Sequence, residues 1–264
     1  MTKLHSVILG TPKHNRLAYC LHETGAWIMQ DRFLPTYLND CLRIVEGRAD
    51  VHKFLLMKEC VTNQVSAENT RIILAKADDT IKWAKNTRLQ DNHELHTLTF
   101  LSEWSAQEAG HENIAAAILG TIRPIAEEAL KKFKSPYKYN IAQWPWTDEA
   151  CLEICKKLDQ KAKRPPPEGW DNMARLNQFF DWLGLTLEVT SDITAIYNEA
   201  SMIRNVITHQ YGKLNASDVV RAPHLQEWVG KTVPMTEDRL SDYHQAIVSV
   251  YLAILKAIQL QKWI

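Results

Sequence analysis

A chain of 264 residues, 45% hydrophobic and 23% charged, has enough apolar material for a sizeable core, which excludes intrinsic disorder. Its nine glycines argue against a many-stranded fold full of tight turns. Lys+Arg and Asp+Glu both total 31, so overall charge does not draw the chain to nucleic acid and any RNA contact must use a local patch.

Apolar residues recur at helical spacing along the whole chain, and no convincing period-two alternation interrupts them. The predicted helices run, in chain order, over 15–31, 36–47, 50–62, 66–86, 94–108, 111–133, 148–162, 170–183 and 188–210. A long terminal helix follows Thr236, with Leu240, Tyr243, Ile247, Val250, Tyr251 and Ile254 on one stripe. Pro35 and Pro124 are placed to start or kink helices. The fold class is therefore all-α, a helical bundle. Two stretches punctuate it: SPYKYNIAQWPWT at 135–147, and the proline run RPPPEG at 164–169. The first marks the expected domain boundary. It separates a helical region over 1–134, of unknown role, from a helical domain over 135–264.

Five cysteines at wide spacing give neither a disulfide framework nor a zinc knuckle, and free thiols in a reducing cytosol are expected. The apolar stretch at the N-terminus is too short for a signal peptide, and the run at 246–255 falls short of a membrane span. The expected location is cytoplasmic, with no membrane contact.

Chemistry concentrates in YNEASMIRNVITHQYGKLN, 197–215. Arginine can neutralise phosphate oxygens through paired donors, and an imidazole moves protons near neutral pH. RNA supplies its own nucleophile, the 2′-hydroxyl, so such a site needs a base, an acid and a charge stabiliser. Spacing alone does not single out this pair. Twelve arginines and ten histidines make one or two chance Arg-x4–6-His matches the expectation, and four occur: Arg16/His22, Arg88/His93, Arg204/His209 and Arg239/His244. Context does. Only Arg204 is followed by asparagine, and only His209 by a tyrosine and a helix-ending glycine, giving RNxxxHxYGxLN.

That string resembles the HEPN superfamily, whose signature is an Arg–His pair with a polar residue after the arginine. Tyr211 makes it similar to the toxin half of HEPN/MNT toxin–antitoxin pairs. The resemblance implies a helical bundle that pairs as a homodimer across the motif helix. It implies metal-independent RNA cleavage without a cofactor, in a toxin–antitoxin or anti-phage defence setting. Arg204 would stabilise phosphate, His209 would transfer the proton and Asn205 would position them. Tyr211 would be the site modified by a nucleotidyltransferase antitoxin. The alternatives are a noncatalytic helical module that binds nucleotides or protein partners, and a purely structural role in which the pair caps carbonyls or binds Glu199.

Other candidates rank below this. Glu108-x-x-His111 has the di-iron spacing but no second pair, and His93 and His96 stand three apart, not the four of a zinc protease helix. No metal site is expected. The span 131–164 carries nine basic and four acidic residues, and Lys156, Lys157, Lys161, Lys163 and Arg164 are the candidate RNA-backbone contacts. Trp27, Trp83, Trp104, Trp182 and Trp228 read as core, whereas Trp144 and Trp146 sit in a loop where they can be exposed.

Overall fold

The computed structural model describes residues 16–31, 33–133, 138–162, 171–220 and 222–263. The α-helices are α1 Arg16–Asp31, α2 Leu34–Gly47, α3 Ala49–Thr62, α4 Ala67–Leu89, α5 His93–Thr121, α6 Arg123–Leu130, α7 Asp148–Ala162, α8 Asn172–Asp181, α9 Ser191–His209, α10 Ala216–Val219 and α11 Glu237–Leu260. Among the described residues there is no strand, only the isolated bridges Lys213–Thr232 and Leu214–Val229. The protein is all-α. Pro35 and Pro124 each sit in the first turn of a helix, where a missing N–H costs nothing.

One expected break is absent. The sequence reading ends a helix at 108 and starts another at 111, but α5 runs unbroken through Gly110. A Cβ at Gly110 would lie far inside van der Waals contact with the buried Thr24 of α1. This glycine therefore serves close helix packing, not termination. The break comes later, at Ile122, where α6 begins with Pro124.

The chain forms two compact units. The larger takes the described residues of Met1–Asp31, Phe100–Val233 and Ser241–Ile264. Its core holds a ladder of aromatic rings: Phe100 lies 5.1 Å from Tyr243, and Trp104 lies 5.2 Å from Tyr197. A polar seam on α5 runs beside it at four-residue spacing. Glu103 meets His244 Nδ1 at 3.1 Å, Gln107 donates to the Tyr197 hydroxyl, and His111 sets its ring at right angles to Phe180. The smaller unit takes the described residues of Arg32–Thr99 together with Pro234–Leu240. Leu42, Ala84 and Leu95 make its core, flanked by Leu38 and Val45. His93 Nδ1 accepts the Met235 N–H at 2.8 Å and His96 donates to the Met235 carbonyl at 3.0 Å, which ties Pro234–Leu240 into that unit.

The units do not divide at the 135–147 stretch. Phe100–Leu130 belongs with the residues that follow, because Glu103 and Gln107 of α5 find their partners on α11 and α9. That stretch is also less open than its composition implies. The indole N–H of Trp144 donates to the Leu119 carbonyl at 2.9 Å, that of Trp146 to Asn140 at 3.0 Å, and Trp146 is buried. The proline run at 164–169 lies outside the described residues.

Candidate functional site

Helix α9 carries the Arg204–His209 string and is defined at both ends by local chemistry. Thr190 caps it through the Ile193 N–H, and Asp192 adds an acid to the first turn. Tyr197, Ala200, Met202, Ile203 and Val206 bury one face. The helix stops at His209. Gln210 and Gly212 both donate to the Val206 carbonyl at 3.0 Å, and Tyr211 and Gly212 take left-handed φ angles of 53° and 76°. Beyond it the chain is fixed by Leu214, whose N–H donates to Lys231 and whose carbonyl accepts from Gly230.

Arg204 sits at the edge of the buried face. Its Nη2 donates to Glu108 Oε2 at 2.8 Å and its Nη1 to Asn205 Oδ1 at 3.1 Å. The side chains of Arg204 and Glu108 are 26% and 43% exposed, so the pair is solvated and modest in strength. Three of the five guanidinium N–H donors make no hydrogen bond among the described residues and remain for an anion. Thr208 turns back onto the Arg204 carbonyl at 2.9 Å and offers no hydroxyl proton outward. His209 is exposed in the last turn, and no hydrogen bond joins it to Arg204 among the described residues. Tyr211 is 95% exposed. The structure thus brings Arg204, Asn205 and Glu108 together and leaves His209 and Tyr211 standing clear at the helix end.

Glu108 is the residue that the sequence reading leaves unconnected to the motif, noting only a di-iron spacing that lacks a second pair. Nothing in its neighbours announces that it faces α9; the signal is its position one residue after Gln107, which binds Tyr197 of the same helix. His111, the other half, is buried, and desolvation pushes its pKa down to about 3, with Arg175 adding to the fall. It is a neutral core histidine at pH 7. A second imidazole missed by the motif is His224, mostly exposed, whose Nε2 lies 2.9 Å from Glu199 of α9. Glu199 also accepts the Tyr243 hydroxyl at 2.7 Å. Glu199 thus meets His224 and Tyr243, and among the described residues no hydrogen bond or ion pair joins it to Arg204 or His209.

The other Arg–His pairs are built into the scaffold. Arg16 binds Asp148, Arg88 binds Glu46 and Arg239 donates to the Pro234 carbonyl. His93 and His244 are engaged as described above, and His22 is exposed.

The basic segment is partly spent on local pairs. Lys138 meets Glu153 at 2.6 Å, while Lys132 and Lys161 lie over the rings of Trp182 and Phe133. Lys156 and Lys157 are exposed side by side on α7; Lys163 and Arg164 lie outside the described residues. Among the tryptophans read as core, Trp104 is buried but Trp83 is exposed, on the outer side of α4. All five cysteines are free thiols, four of them buried. Among the described residues no helix is long and apolar enough to cross a membrane. No family model, no curated protein and no solved structure matches this chain.

Proposed function

We propose that the chain is a metal-independent endoribonuclease of the HEPN kind, with Arg204 and His209 as its reacting groups. One observation carries the reading: on α9 the guanidinium is oriented from two sides, by Asn205 and Glu108, while the imidazole stands unobstructed a turn further on. In the reaction the 2′-oxygen of RNA bonds to the adjacent phosphorus and the bond to the 5′-oxygen breaks. The 2′-hydroxyl proton goes to a base, an acid protonates the leaving 5′-oxygen, and the products are a 2′,3′-cyclic phosphate and a 5′-hydroxyl. Arg204 stabilises the charge on the phosphorane oxygens. His209 moves a proton, and a homodimer that faces two α9 helices supplies acid and base from two copies of it. Exposed Lys156 and Lys157 contact the RNA backbone. Tyr211 is open to an antitoxin with nucleotidyltransferase activity.

A second reading is favoured by the same ion pair. Glu108 offsets the Arg204 charge, as it would in a noncatalytic helical module where the pair ties α9 to α5. Incubation of the purified protein with total RNA in EDTA separates the two. Cleavage to cyclic-phosphate ends, abolished by His209→Ala, supports the nuclease. Intact RNA under all conditions supports the module.

A further inference from the structure

Helices α2 and α3 of the smaller unit are joined by Arg48, which leaves helical geometry at φ −122°, ψ 24°; Arg48 N–H still donates to Ile44 and His52 N–H to Arg48. The inward positions 38, 42, 45, 49, 53, 56 and 60, buried or half-buried, nevertheless keep one rhythm across the junction. One seam, Leu38, Leu42, Val45, Leu56 and Cys60, is buried or half-buried toward α4. A second seam repeats at spacings of three and four about 100° round the helix from the first, at 34, 37, 41, 44, 48, 51, 55 and 58. That is the heptad rhythm of a helix with a partner. On α2 it presents Leu34, Tyr37 and Ile44, with Phe33 beside them; on α3 it presents Val51 and Leu55, flanked by Phe54 and Val61. These eight side chains are between 40 and 74% exposed.

At roughly 150–200 Å² for each side chain, they leave roughly 800 Å² of apolar surface in water. The largest apolar patch of a typical monomer is about 300–600 Å². About 800 Å² is what one partner contributes to a standard interface. The charges at its edge are of both signs: Asp40 stands eight residues before Arg48, and Lys58 ten after it. An antiparallel copy of the same seam therefore brings each Asp40 near its partner's Lys58. The geometry points to a second copy of this chain as the occupant: two α2–α3 seams pack antiparallel about a two-fold axis near Arg48. This contact is separate from α9 and does not depend on the nuclease reading.

Sedimentation of the full chain tests it, comparing wild type with a Tyr37→Glu, Phe54→Glu double variant. Both substituted positions are solvent-exposed, so the variant retains its circular dichroism. Its mass is expected to fall to half that of wild type at micromolar concentration if this is the sole contact, and from a tetramer or longer assembly to a dimer if α9 also pairs. Cys41 gives a second readout without mutation, because it lies on the seam and the other four cysteines are buried. Its labelling by a thiol reagent is expected to slow on the order of tenfold between nanomolar and tens-of-micromolar protein. Equal masses for variant and wild type overturn the pairing. So does a wild-type monomer at every concentration with Cys41 uniformly reactive, which assigns the seam to a helix of some other protein.

Discussion

Replacing His209 with alanine separates chemistry from stability more cleanly than any other change in the motif. The ring is exposed and makes no hydrogen bond among the described residues, so its loss should alter stability by no more than about 0.5 kcal/mol. For a domain of this size 1 kcal/mol moves the melting temperature by about 2–4 °C, so the shift should stay within about 2 °C. A positioned acid–base group contributes about 10²–10⁴-fold to rate. The expected variant therefore melts like wild type and cleaves RNA at least about a hundredfold more slowly. Arg204→Ala is expected to lose rate comparably, with a stability cost of at most about 1 kcal/mol, because its ion pair is solvated. The histidines of the other pairs are controls of different kinds. His22→Ala, at an exposed position, should change neither quantity. His244→Ala removes a buried bond to Glu103, worth about 1.5–3 kcal/mol, so its melting point falls by several degrees while its rate per folded molecule stays within a few-fold. The assay pairs a fluorescent RNA time course with a circular dichroism melt of each variant. If His209→Ala cleaves within a few-fold of wild type, the site lies elsewhere and the argument from α9 fails.

Cleavage should persist in excess EDTA and leave 2′,3′-cyclic phosphates that block 3′-hydroxyl ligation until they are opened and the phosphate is removed; loss in EDTA with recovery in magnesium contradicts the mechanism. Glu108→Gln keeps an acceptor for Arg204 but removes its charge, so KM for RNA should fall with kcat little changed, whereas Glu108→Ala should lower kcat by freeing the guanidinium; steady-state kinetics distinguishes the two. His111 is held neutral by burial, with its folded pKa near 3 against 6.5 in the unfolded chain, so below pH 6.5 the unfolded state binds the extra proton and stability drops toward pH 3, by up to about 1.4 kcal/mol per pH unit; denaturant titrations of His111→Leu should show a flatter profile over that window. Gly110→Ala should destabilise by about 1–3 kcal/mol through the clash with Thr24, more than the helix-propensity gain of about 1 kcal/mol, and Thr24→Ala in the same chain should recover much of the loss on thermal melting.

Helix type and most helix ends were legible because they depend on local pattern. Asp148–Ala162 begins and ends where the sequence places it, since acids open it and apolar spacing runs to its close. Gly110 misled because a glycine looks the same in a chain whether it ends a helix or admits a neighbouring one; the Thr24 that decides between these is 86 residues away in sequence. Glu108 escaped for the same reason: its partner Arg204 is 96 residues distant. Trp144 and Trp146 looked free beside prolines, yet their N–H groups find backbone carbonyls that no local rule predicts. Arg204 and Asn205, adjacent in sequence, were readable as a pair and meet as one.

The larger unit interleaves early and late parts of the chain: Thr24 of α1 packs on Gly110, the Leu21 carbonyl accepts the Tyr251 hydroxyl of α11 at 2.7 Å, and Glu199 of the motif helix binds Tyr243. During synthesis, α9 emerges from the ribosome after α5, which carries Trp104, Gln107 and Glu108, and before α11, which carries Tyr243. Until α11 follows, Phe100 lacks the Tyr243 ring and the Tyr243 hydroxyl that Glu199 accepts is not yet made, whereas Trp104, Gln107 and Glu108 of α5 are already there to meet Tyr197 and Arg204. Both partners of the Arg204–Glu108 pair are thus made before α11, while the Glu199–Tyr243 bond on the same helix waits for it. A polypeptide clipped before α11 would carry the RNxxxH string and its Glu108 partner but not the Tyr243 hydroxyl that Glu199 accepts, so the chain's own order sets which supports of α9 come first.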